Sequence, residues 1–223
     1  MEQTPIEKFS YWADAGCDLV LLNLLWLLGC LPIVTIGAST TAMHYVVRKM
    51  AMGEPYTVWG SFWSSFQANW KQATVLLLVM IVLIGICAAD FYIGTQTEEI
   101  WGSACQVIGV LGLVITACIA TMAFPLLARY TQRVPGILKS ALLISLTNPH
   151  IPLAGWAAAL VFPALVLLND HLIVIATPAW LLIGTTLAAL IIQLLLRPVY
   201  AKLETSTSGG KENNGSSERK ANQ

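Results

Sequence analysis

The chain has 223 residues, of which 57% are hydrophobic and only 11% charged. Soluble domains average nearer 25% charged, so a soluble globular fold is excluded. Twelve basic and twelve acidic residues cancel, which argues against nucleic acid or an acidic substrate.

In chain order, the residues before Leu19 carry Glu2, Glu7, Asp14 and Asp18 against Lys8 alone. That sign is wrong for the leading region of a cleaved signal peptide. Five apolar runs follow, each long enough to cross a hydrocarbon core of roughly 30 Å as a helix. They predict an all-α integral membrane bundle of about five transmembrane helices, with cytoplasmic amphipathic helices between them. The spans are placed at residues 15–34, 72–93, 100–128, 151–168 and 172–196, within one membrane domain covering 1–203. The Ser-, Gly- and Asn-rich tail 204–223 has too little apolar surface to fold and is expected to be disordered in the cytoplasm.

The first run is too long for one straight span. Pro32 lacks an N–H and clashes with the preceding turn, so a break is expected at Thr35-Ile36-Gly37. An amphipathic helix then begins with Ser39 as its N-cap and stops at Gly53. A further short helix is capped by Thr57. It sets Trp59, Phe62, Trp63, Phe66 and Trp70 on one face, opposite Ser61, Ser64, Ser65, Gln67 and Asn69. A Trp-rich face of this kind suits the headgroup region, as a surface anchor in preference to a partner-docking face. The 129–150 joint holds a comparable segment, with Ile137, Leu138, Ala141, Leu142 and Ser145 at helical spacing. The last two spans are joined by Asn169-Asp170-His171 alone, which requires an antiparallel hairpin.

Charge alternates along the joints. Arg48, Lys49 and Lys71 mark one, and Arg129, Arg133 and Lys139 another, while 90–99 holds three acids and no base. Lys and Arg concentrate on the cytoplasmic side, so the expected orientation has the N-terminus outside and the C-terminus in the cytoplasm.

Few residues in the spans can do chemistry. Asn23, Gln106 and Gln193 are uncharged and suited to interhelical hydrogen bonds. No Lys, Arg, Asp or Glu lies deep in a span, which weighs against a proton-driven carrier working alone. The five cysteines lack any CxxC pair and read as packing residues. His44, His150 and His171 form no ligand cluster, and no metal or cofactor is expected. Gly37-Ala38-Ser39-Thr40 matches the GxS element of intramembrane serine proteases only superficially, so no catalytic residue is assigned. Cys105, Gly109, Gly112, Thr116 and Ala120, continued by Ala123, form a small-residue stripe in the third span. It predicts close helix packing at the bundle's centre.

Asn23-Leu24-Leu25-Trp26, then Leu31-Pro32-Ile33-Val34-Thr35-Ile36-Gly37-Ala38 and Thr40-Thr41-Ala42, resembles the opening of the YesL family. Asn69-Trp70-Lys71-Gln72-Ala73 is similar to that family's next signature. The resemblance covers about Phe9 to Leu78 and implies a bacterial plasma-membrane protein. It further implies an accessory role near carbohydrate uptake, with an ABC transporter permease as partner. With enzyme signatures missing from the sequence, the expected function is that of a non-enzymatic accessory or structural membrane protein, and the alternative is a small-solute transporter or channel in its own right. The family has no agreed catalytic residues to carry over. The candidate motif residues are therefore Asn23, Trp26, Pro32, Thr35, Gly37 and Asn69. The hypothesis attached to them is that Asn23 or the aromatic helix holds Thr35 at the break.

Overall fold

A computed structural model describes residues 5–97, 100–130, 132–168, 177 and 180–201. The described residues are helical almost throughout, as lipid requires of a chain whose backbone groups must be satisfied internally. Helix α1 spans Pro5–Cys30, a 3-10 turn covers Ile33–Thr35, and α2 spans Ile36–Met52. Then follow α3 (Val58–Thr95), α4 (Ile100–Arg129), α5 (Val134–Thr147) and α6 (His150–Leu168). Helix α7 spans Leu182–Ala201, and its entrance is a π-helical turn, Trp180–Gly184. By length and composition, α3, α4 and α7 can each cross a membrane. The Asn169-Asp170-His171 connection and the tail 204–223 lie outside the described residues.

Helix α1 already ends at Cys30, so the break covers Leu31–Thr35 rather than the expected Thr35-Ile36-Gly37, and the helix that follows starts earlier than expected. Thr35 is the N-cap and Ser39 sits a full turn inside α2, wholly buried. Capping rules are local, and here tertiary packing decides: Ser39 bonds to another helix instead of to its own amides. At the far end Gly53 adopts φ 68°, ψ 22°, a left-handed C-terminal stop that a side chain would strain.

Helix α2 runs back along α1, antiparallel to it. Ser39 and Thr40 lie beside Trp26, and the Tyr56 hydroxyl, just past α2, donates to Asp18 Oδ2 at 2.7 Å. Asp18 and Tyr56 therefore stand at the same end of the α1–α2 pair.

The second correction concerns the aromatic segment. Residues 58–95 form one unbroken helix of 38 residues, about 57 Å long at 1.5 Å per residue. No Gly or Pro stands between Trp63 and Ala73 to stop it. Thr57 does occupy the N-cap position, without a side-chain cap bond. Nor is the aromatic face a surface anchor along its whole length. Phe62 is fully buried and stacks toward Phe66 at 6.2 Å, while Trp59 and Trp70 remain exposed. Ser61 and Ser65, placed on the polar face, are buried as well.

Two apolar clusters result. One joins Leu22 and Leu25 of α1, Ala42, Met43, Val46 and Val47 of α2, Val58 and Phe62 of α3 and Ala189 of α7. The other joins the middle of α3 to the second half of α4, the buried face of α5 (Ile137, Ala141, Ile144) and Ile192 and Leu196 of α7. Beyond Met80, α3 packs with the first half of α4 as a long hairpin whose other faces are apolar and exposed.

Candidate functional site

The hinge between α1 and α2 is built from the residues of the recognisable motif. The Pro32 carbonyl accepts both the Thr35 amide (3.0 Å) and the Thr35 hydroxyl (2.8 Å), and the same hydroxyl reaches the Gly29 carbonyl (2.8 Å). Thr35 thus ties the end of α1 to the turn that leaves it. One turn further on, the Ser39 hydroxyl donates to the Trp26 carbonyl (2.8 Å), while the Trp26 indole N–H donates to the Thr40 hydroxyl (3.2 Å). Ser39 is therefore engaged with a carbonyl rather than an imidazole.

Helix α3 closes the hinge from the other side. The Thr74 hydroxyl donates to the Val34 carbonyl at 3.1 Å. A Cβ on Gly37 would stand 2.5 Å from the Ala73 carbonyl oxygen, so glycine is required where α2 crosses α3. The Ala73 signature and the Gly37 signature, thirty-six positions apart, are two sides of one helix crossing.

Trp26, Pro32, Thr35 and Gly37 are brought together; Asn23 and Asn69 are not. Asn69 bonds within its own helix, to the Ser65 carbonyl at 3.0 Å and the Ser65 hydroxyl at 3.3 Å. Asn23 does not hold Thr35. Its Oδ1 accepts the Thr185 hydroxyl of α7 at 2.6 Å, and the adjacent Thr186 hydroxyl reaches the Leu19 carbonyl. Further along α7, Gln193 Nε2 donates to the His44 carbonyl of α2 at 3.2 Å.

Sequence reasoning missed this α1–α2–α7 junction, although a signal existed. Thr186, Gln193 and Tyr200 recur every seven residues in an otherwise apolar helix, and all three are buried. The junction holds more polar atoms than it satisfies: Asn23 Nδ2, His44 Nδ1 and Gln193 Oε1 have no hydrogen-bond partner. A buried unsatisfied group costs about 1–3 kcal/mol. Three of them amount to a large share of a fold's usual net stability of about 5–15 kcal/mol.

At one end of the bundle the termini of α2, α4 and α7 meet. The Arg129 guanidinium lies over the Tyr200 ring at 4.2 Å and reaches Met52 Sδ at 3.8 Å. Arg48 grips Glu54 through both guanidinium nitrogens, at 2.8 and 3.3 Å. Among the described residues, no three His, Cys, Asp or Glu side chains gather as metal ligands.

The small-residue stripe of α4 does pack, and in its first half its glycines face α3. A Cβ on Gly109 would meet the Cys87 carbonyl oxygen and the Phe91 amide at 2.8 Å, whereas one on Gly112 would meet the Cys87 side chain and no backbone atom within 4 Å. Cys105 is half-buried, and Thr116, Ala120 and Ala123 carry the stripe down into the second apolar cluster. Gln106 Nε2 adds a hydrogen bond to the Gly94 carbonyl at 2.9 Å.

Comparison with known proteins agrees with the motif. Residues 19–91 match a family model described as "Protein of unknown function, DUF624". The chain is 26% identical over 168 residues to "Uncharacterized protein YesL" of Bacillus subtilis (strain 168), covering 74% of this chain and 78% of that one. No solved structure matches it. The matched segment is the one that forms α1 from Leu19, the hinge, α2 and most of α3, and over it the chain is similar to a family of unknown function.

Proposed function

We propose that this protein is a non-enzymatic accessory component of the bacterial plasma membrane that assists carbohydrate uptake beside an ABC transporter permease. One observation carries the non-enzymatic part: the hydroxyl groups at the family motif are spent on joining helices. Thr35, Ser39, Thr40 and Thr74 all bind α1, α2 and α3 to one another. The carbohydrate part rests on the family resemblance. In this reading the end bearing Arg48, Arg129 and Tyr200 faces the cytoplasm, following the bias of Lys and Arg. Asp18 lies on that same side because Tyr56 holds it there.

The test is purification from native membranes with and without sugar induction. A stoichiometric permease that co-purifies only after induction supports the role; a chain that purifies alone in both conditions overturns it. Orientation is tested by single cysteines at Asp14, Thr95 and Gln132 in a cysteine-free background. Thr95 should label with an impermeant thiol reagent from outside, and Asp14 and Gln132 only after the membrane is opened.

A second reading, a small-solute transporter in its own right, is favoured by the unsatisfied polar atoms at the α1–α2–α7 junction. Solute flux into liposomes holding only this protein would replace the accessory reading with that one.

A further inference from the structure

The outer face of α1 is patterned as well as apolar. Among the residues of α1 whose exposure is described, the exposed ones are Asp14, Cys17, Leu21, Leu24 and Leu28, and Leu31 continues the series just past the helix end. The steps between them alternate three and four residues, the spacing of a seam on which two helices interlock side by side. Leu22 and Leu25 point the other way, into the bundle.

Lipid does not account for this face. As far as Gln72, α3 exposes Ser64, Gln67, Lys71 and Gln72 between and beside Trp59 and Trp70. From Val75 to Ile93 its exposed residues carry no charge and no amide. That apolar length is about 27 Å at 1.5 Å per residue, enough to fill most of a hydrocarbon core of roughly 30 Å. The α1–α2 hairpin packs on the polar side of the boundary. Gly29 lies beside Phe62, and only the hinge reaches the boundary, at Ala73 and Thr74. The leucine seam thus flanks the polar-faced half of α3, where a large exposed apolar patch marks a protein contact.

The patch is large enough for one. Leu21, Leu24, Leu28 and Leu31 are 43%, 42%, 61% and 78% exposed, and Ile33 and Val34 of the adjoining turn are 73% and 59% exposed. Together they offer about 650 Å² of apolar surface, near the roughly 800 Å² that each partner gives to a stable interface. A seam of leucines at both alternate positions is complementary to itself, which suits a second copy.

We propose that α1 pairs with α1 of a second copy of this chain, side by side and parallel. Two copies in one membrane share one orientation, so their two-fold axis lies along the membrane normal. Helix α1 runs the same way as α3, because α2 runs back along both. The axis then sets each seam residue opposite its own counterpart, Cys17 against Cys17 and Leu24 against Leu24. The pairing goes beyond the accessory role and does not depend on it.

Oxidation with copper phenanthroline tests the pair, using the full chain in liposomes with Cys17 as its only cysteine. A disulfide needs Cα atoms within about 7 Å, so a product of doubled mass should form roughly tenfold faster from Cys17 than from a single cysteine at Gln67, exposed on α3. Equal rates would mean chance collision and overturn the proposal. Faster linkage of Cys17 to Leu28→Cys in mixed samples than of Cys17 to itself would reveal an antiparallel pair, and overturns it too. Single-molecule photobleaching of fluorescently labelled chain gives a second measure. Wild-type particles should bleach in two steps and Leu24→Glu particles in one. One-step wild-type particles leave the seam to lipid or to another protein, and two-step particles of folded Leu24→Glu place the dimer on another face; either result overturns the pairing. The cross-linking rates decide the matter even if Leu24→Glu does not fold.

Discussion

The two ends of α3 lie in different kinds of packing. Around its first half, α1, α2 and α7 are joined by side-chain hydrogen bonds between helices: Trp26 to Thr40, Ser39 to Trp26, Thr74 to Val34 and Asn23 to Thr185. Around its second half, α3 meets α4 through glycines, with Gly94, Gly102 and Gly109 letting the two backbones touch, and the Gln106 amide adds one hydrogen bond. The difference teaches where specificity is needed. A hairpin joined by a short turn has its partner chosen by the chain itself, so small side chains suffice. Helices that meet across 162 positions, as Asn23 and Thr185 do, need polar groups to select the pairing.

The sharpest way to break the hydrogen-bonded half is to part α2 from α3. Gly37→Leu would drive a side chain into the Ala73 backbone, which cannot yield, and should abolish folded yield in size-exclusion chromatography. Gly37→Ala should already cost about 1–3 kcal/mol in thermal unfolding, the usual range for overpacking. The glycine half should respond unevenly. Gly109→Ala meets backbone and should cost about 1–3 kcal/mol, whereas Gly112→Ala meets only the movable Cys87 side chain and should cost less. Equal tolerance of both would show that the hairpin is not packed backbone to backbone. A larger residue magnifies the contrast: Gly112→Leu should lower yield in detergent while Leu113→Ala should not.

Smaller effects sharpen the comparison further. Trp26→Phe and Thr40→Val remove the two ends of one bond, so a double-mutant cycle should give a coupling of about 0.5–1.5 kcal/mol. Asn23→Leu and Thr35→Val belong to separate bonds, to α7 and within the hinge, and their effects should add within about 0.3–0.5 kcal/mol. Strong coupling between them would restore Asn23 as the group that holds the break. Smallest of all is Glu54→Gln. Its ion pair with Arg48 is partly exposed, and its loss should cost about 1 kcal/mol or less, shrinking further with added salt.

The helical class was legible because lipid leaves a chain few other choices, and the glycine stripe because its spacing sets one face whatever lies opposite. The break at Pro32 was legible for the same local reason. What could not be read was partnership. Ser39 stands two residues after a glycine and looks like a cap, yet its partner, the Trp26 carbonyl, is supplied by a different helix. The passage from Trp-rich to Leu-rich sequence near Lys71 looks like a boundary. It is only a change of surroundings, because a helix continues until its backbone is interrupted. Asn23 was recognised as a polar group needing a partner, but Thr185 lies too far along the chain for any spacing rule to find it.

Helix α3 belongs to both halves and has no break along its 38 residues. It can therefore act as a lever. A tilt of about 5° about its first turn would carry Thr95 sideways by about 5 Å, given the helical rise of 1.5 Å per residue. Any force that reaches the hinge at Gly37, near the lever's middle, would be delivered to the far end of the hairpin as displacement.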